Sequence, residues 1–145
     1  MSAKLLSVVA FLVLVAALVY LAMTEELFGT GPVTAGLQVA AFLLMVWARV
    51  TFGRRSFHAA ANPTEGGLVT TGPYRYVRHP IYAAILLFFA GAIAAHPSWR
   101  TAVLGLVVLA ALMVRIVSEE RLVIERYPEY AEYSRTTKRL VPGVY

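Results

Sequence analysis

Residues 81–117 read IYAAILLFFAGAIAAHPSWRTAVLGLVVLAALMVRIV. Two apolar runs, about Ile81–Ala95 and Trp99–Val117, are parted only by His96, Pro97 and Ser98. The second run has 19 residues. As a helix rising about 1.5 Å per residue it reaches nearly 30 Å, enough for the hydrocarbon core of a bilayer. A connection of so few residues turns two helices back on each other, so the stretch predicts an antiparallel helical hairpin. The first run is short and spans by borrowing its entry residues or tilting little.

Toward the N-terminus the same pattern repeats. Leu5–Met23 carries no charge, and Val33–Val50 carries only Arg49, close enough to its end to snorkel. Thr24–Pro32 between them is a short acidic turn. Lys4 before an apolar run also fits a signal peptide. The run is long for that role, and no convincing small-x-small cleavage site follows. The expectation is one all-α membrane domain over residues 1–145. Its four transmembrane helices lie at about 5–23, 33–50, 81–95 and 99–117, the last two forming the hairpin. The polar segments 51–80 and 118–145 then share one face, where they form a pocket.

Composition agrees. The chain is 59% hydrophobic and 14% charged, against about a quarter charged in soluble domains. The connections Thr24–Pro32 and His96–Arg100 hold one basic residue, Arg100, and the other 12 of the 13 lie on the opposite side. The positive-inside rule places both termini and the middle segment in the cytoplasm. The excess of Arg over Lys and the Ala-rich bias point to a bacterial inner membrane. A net charge of +5 is read as topology signal and attraction to anionic lipid rather than nucleic-acid binding, because no basic helix or aromatic-basic platform occurs. The absence of cysteine excludes disulfides, thiolate metal sites and a cysteine nucleophile. His58, His79 and His96 are scattered, so no metal centre is expected. No Walker loop, nucleophile elbow or dinucleotide fingerprint is present.

Two segments could carry chemistry. The first runs from Gly66 through Leu68, Val69, Gly72, Pro73, Tyr74, Arg75, Tyr76 and Arg78 to His79, Pro80, Ile81 and Tyr82. Gly72-Pro73 makes a turn, and Pro80 suits the first position of a helix with His79 at or beside its N-cap. The free N–H groups of that helix start would hold a carboxylate or phosphate. The same tyrosines and arginines could also be an aromatic belt and topology signals. In the second segment Arg115 and Glu119 are four residues apart, on one helical face. They could be an ordinary ion pair at a membrane exit. A guanidinium with apolar surroundings on one side, however, usually faces a cavity or a partner. Glu120 is read as pointing elsewhere, where it could pair with Arg121 or solvent. The aromatic tail around Tyr127, Tyr130 and Tyr133 could lie on the membrane as an amphipathic helix or wall a pocket.

Leu68-Val69-Thr70-Thr71-Gly72-Pro73-Tyr74, Arg78-His79-Pro80-Ile81-Tyr82, Arg115, Glu119-Glu120, Tyr130, Tyr133 and Arg139-Leu140-Val141-Pro142 stand in that order over about the last 80 residues. In this the chain resembles the isoprenylcysteine carboxyl methyltransferase family of membrane enzymes, relatives of phospholipid methyltransferases. The resemblance implies S-adenosylmethionine as methyl donor. It implies cofactor contacts from Leu68, Val69, Tyr74, His79, Pro80, Ile81, Tyr82 and Glu119, with Arg115 facing a substrate carboxylate and Arg115 and Glu119 at the reacting centre. The acceptor would be a carboxylate on a lipidated or hydrophobic molecule. A phospholipid amine is the alternative acceptor, and a small transporter or a non-catalytic membrane adaptor are alternatives of another class. Pro128, where the family often has Gly, and a tail one residue short before Tyr130 are departures that bear on the substrate.

Overall fold

The computed structural model describes residues 3–53 and 67–145. Arg54, Arg55, His58 and Gly66 of the middle segment lie outside the described residues. The described chain folds into five α-helices: α1 (Ala3–Met23), α2 (Pro32–Phe52), α3 (Pro80–Ala95), α4 (Trp99–Arg126) and α5 (Tyr130–Thr136), with one 3-10 turn at Gly72–Arg75 before α3. Helices α1, α2 and α4 are long and apolar enough to cross a membrane, and α3 is a shorter apolar helix. Helix α4 runs nine residues past Val117, where its apolar run stops, because Ser118–Arg126 continues the helical pattern until Tyr127 and Pro128 end it. There are no strands among the described residues, only an isolated parallel bridge between Val77 and Lys138.

Helix α1 lies mainly on α4, and α2 on α3. The buried stripe of α1 is Ser7, Ala10, Leu14, Ala17 and Leu21, spaced alternately three and four apart. Its small residues let the backbones approach, as helix contacts in lipid require. Helices α2 and α3 approach tightly at Gly91, where a Cβ would stand 2.8 Å from Gln38 Cγ and 3.1 Å from the Thr34 carbonyl oxygen. The outward faces remain strongly apolar, with Leu12, Val39, Phe42, Leu43, Val50 and Leu106 all exposed. Water would penalise so continuous a patch, whereas lipid would not.

The two tight connections meet at one end. Gln38 accepts from Gly29 N at 2.9 Å and donates to the Leu27 carbonyl at 2.8 Å. His96 Nε2 lies 3.0 Å from the Phe28 carbonyl oxygen. Ser98 caps α4, its hydroxyl accepting from Thr101 N at 3.2 Å. The first turn of α1, the last turn of α2, the start of α3 and the second half of α4 therefore gather at the opposite end.

Candidate active site

That opposite end contains a cavity of about 570 Å3, lined from every long helix and from the segments before α3 and after α4. Leu68, Val69, Tyr74, His79, Pro80, Ile81, Tyr82, Arg115 and Glu119, the nine residues singled out from the sequence, all line it. Its apolar side is built by Phe11, Leu14 and Leu18 of α1 and by Phe42 and Met45 of α2, helices in which the sequence shows only hydropathy.

Arg115 is 4% exposed. Its Nε donates to the Tyr82 hydroxyl at 2.9 Å and its Nη1 to the Ser7 carbonyl at 3.0 Å. Its Nη2 is 3.4 Å from Glu119 Oε1. The ring faces of Phe11 and Tyr82 lie 5.4 and 5.5 Å from the guanidinium carbon. The helical i,i+4 pair is present, and it is embedded in contacts from α1 and α3. The Tyr82 hydroxyl also donates to Glu119 Oε1. The His79 ring stacks on Tyr82, with centroids 5.6 Å apart and planes 17° from parallel.

Glu120 corrects the sequence reading. Its side chain turns inward and is 7% exposed. Oε1 accepts from the Tyr130 hydroxyl at 3.0 Å and lies 3.2 Å from both Arg78 Nη2 and His79 Nε2. Oε2 accepts from Arg139 Nε at 3.0 Å and Nη2 at 2.8 Å. The partners expected for it, Arg121 and solvent, lost because Arg78 and His79 at the start of α3 and Tyr130 and Arg139 of the folded-back tail all converge on it. A carboxylate buried among several donors is stable, whereas one stripped of them is costly.

The tail is a wall of the cavity. Tyr127, Tyr130 and Tyr133 line it, and the Tyr133 hydroxyl donates to the Tyr74 carbonyl. Burial pushes the Tyr133 phenol up to about 12, although nearby Arg78 opposes the shift. Burial raises Tyr74 and Tyr130 as well, with Glu119 adding to the first and Glu120 to the second. These phenols are thus neutral donors at ordinary pH. Backbone bonds tie the tail to the start of α3: Arg78 N donates to the Lys138 carbonyl at 2.7 Å and His79 N to the Arg139 carbonyl at 3.0 Å.

Three further residues escaped the sequence reading. Arg49 lines the cavity rather than merely snorkelling at the end of α2. Arg78 does more than mark topology: Nη1 donates to the Ser134 carbonyl at 2.9 Å. Its Nε is buried with no hydrogen-bond partner among the described residues. Ser7 contributes a main-chain carbonyl, for which no side-chain signal exists. Among the described residues, no three of His, Cys, Asp and Glu are grouped to hold a metal ion.

The sequence is similar to known proteins. Over 76 residues the chain is 41% identical to the cobalt-zinc-cadmium resistance protein CzcN of Cupriavidus metallidurans, a stretch covering 52% of this chain and 35% of that protein. Over 76 residues it is 33% identical to the nickel-cobalt-cadmium resistance protein NccN of Alcaligenes xylosoxydans xylosoxydans, covering 52% of this chain and 36% of that protein. The match thus spans about a third of the length of these curated relatives. No solved structure matches. The isoprenylcysteine carboxyl methyltransferase (ICMT) family matches residues 34–125, more than half of the chain and most of the helices that frame the cavity. The chain belongs to the isoprenylcysteine carboxyl methyltransferase family.

Proposed function

We propose that the protein is a four-span membrane methyltransferase that uses S-adenosylmethionine to methylate a carboxylate on a lipidated or hydrophobic acceptor. The observation that carries the reading is the convergence of the nine residues on one cavity with a polar end and an apolar side. Helix α3, 16 residues long, would be the fourth span. The basic helix ends around the cavity support a cytoplasmic site in a bacterial inner membrane.

The residues present fit the donor molecule. The cavity is within the range of small-molecule sites. Arg78 Nε, buried with no hydrogen-bond partner among the described residues, and the start of α3 offer N–H groups, and Glu119 offers a carboxylate. When bound, S-adenosylmethionine supplies an electrophilic methyl group on a sulfonium. His79 and the first turn of α3 would hold its carboxylate. Glu119 would take its ammonium or ribose, and Leu68, Val69, Pro80 and Ile81 its apolar surface. The face of Tyr74 suits a sulfonium through cation–π attraction, and Tyr82 backs His79 and Arg115.

A carboxylate acceptor is already ionised near pH 7, about three units above its ordinary pKa, so no general base is required. Positioning is then the main task, and it can supply several kcal/mol. Arg115 is held by Tyr82 and Ser7 before any acceptor arrives. Its contact with Glu119, at 3.4 Å the longest of these three, is the one an incoming carboxylate would exchange. The apolar side toward Leu18 and Phe42 would receive the acceptor's tail from the bilayer.

The test is calorimetric titration of the detergent-purified protein with S-adenosylhomocysteine, beside a His79→Ala variant. Saturable binding that the variant weakens but retains measurably is the expected result. Folded wild-type protein that shows no binding would remove the methyltransferase reading.

A further inference from the structure

We infer that Glu120 and Arg139 form a positioning pair for His79, fixing which nitrogen of its imidazole meets the cofactor. The inference rests on the reading of His79 as a cofactor-binding residue. Arg139 lies beyond residues 34–125 that define the family match.

The chain of contacts runs from the tail inward. Arg139 holds Glu120 Oε2 with two nitrogens, at 3.0 and 2.8 Å. That leaves Oε1 turned toward His79 Nε2, 3.2 Å away. An ionised carboxylate only accepts, so Nε2 must carry a proton and donate it. Nδ1 is then the nitrogen on the Glu119 side, 3.8 Å from Glu119 Oε2. Stacking on Tyr82 holds the ring plane. The main chain of His79 is set by the same tail residue, since His79 N donates to the Arg139 carbonyl at 3.0 Å. One residue of the tail thus governs both the backbone of His79 and, through Glu120, its side chain. Neither Glu120 nor Arg139 needs to touch the cofactor for this.

A pair that only fastened the tail would have a different signature, which a double-mutant cycle separates. S-adenosylhomocysteine is titrated into the full chain in detergent, using His79→Ala, Glu120→Gln, Arg139→Ala and the two double variants that contain His79→Ala. Glu120→Gln is expected to weaken binding by on the order of tenfold, as loss of a hydrogen bond to a charged group does, and Arg139→Ala by less. In the His79→Ala background neither should weaken it further. Equal effects in both backgrounds would overturn the positioning role and leave a tail fastener. Unchanged affinity in His79→Ala would instead overturn the reading of His79, and the inference with it. If Glu120→Gln does not fold, the Arg139 cycle decides alone, because Arg139 is about one-third exposed and its loss leaves Glu120 with Arg78 and His79. The histidine 15N spectrum gives a second readout: the Nε2-protonated form should dominate at His79 in wild type and lose ground in Arg139→Ala. An unaltered His79 signal in that variant would count against the pair.

Discussion

The two ends of the helix bundle are both polar, yet they are built on different principles. At the turn end most polar groups find partners nearby in sequence: Thr24 with the Tyr20 carbonyl, Ser98 with Thr101, and Gln38 with Gly29 and Leu27. His96 with the Phe28 carbonyl, 68 positions apart, is the exception. None of these groups is a buried charge. At the cavity end the bonds reach 41 positions from His79 to Glu120, 56 from Arg78 to Ser134 and 108 from Arg115 to Ser7, and they centre on buried Arg115 and Glu120. Local bonds complete a turn at modest cost. Distant buried charges are costly to assemble, and their presence here is what supports placing the proposed chemistry at this end.

The comparison breaks if the ends respond alike. The largest contrast should be in turnover. Arg115→Ala is expected to cut methyl transfer by at least about a hundredfold, the scale of removing a key charge-stabilising donor, with S-adenosylhomocysteine affinity nearly intact. His96→Ala should leave the rate within about twofold, since its side-chain partner among the described residues is a turn carbonyl at the far end. Loss of cofactor affinity in Arg115→Ala would contradict its assignment to the acceptor.

Stability should separate the ends next. Glu120→Ala strands the positive side chains gathered on it and is expected to cost about 3–5 kcal/mol. Gln38→Ala leaves two backbone groups unpaired and should cost about 1–3 kcal/mol. Thermal unfolding of both variants in one detergent measures the order, and a larger loss for Gln38 would reverse it.

The smallest contrast is with pH. A phenol in an unfolded chain titrates near 10, whereas burial holds Tyr133 up to about 12. Its folded-state pKa is the higher, so the stability it contributes is complete below about pH 10 and is lost as pH rises through about 12. Alkaline unfolding should therefore begin at the cavity end, and Tyr133→Phe should shift its midpoint upward. A midpoint that does not move would place the alkaline weakness elsewhere.

The sequence made the apolar helices legible because hydropathy and helix length are local properties. Pro80 at a helix start and the Arg115–Glu119 spacing were legible for the same reason. Glu120 was misread because its direction can be argued from α4 alone, while its partners come from Arg78, His79, Tyr130 and Arg139 on other segments. Arg49 was read as snorkelling because its place at the end of a span suits that role equally well. Only the packing of α2 on α3 turns it toward the cavity. Nothing in Leu5–Met23 could have announced the Ser7 contact, since every residue there has the same carbonyl.

That last contact has a bearing on how the chain can vary. Arg115 grips the main chain of α1, so the bond itself is indifferent to the chemical identity of residue 7, provided the residue is small enough for a fully buried position. Substitution along α1 can therefore proceed widely without severing its link to Arg115. Inserting or deleting one residue cannot, for it rotates every carbonyl beyond it by about 100° around the helix. The first helix is held by phase rather than by spelling, and the family match, which begins at residue 34, leaves that helix outside.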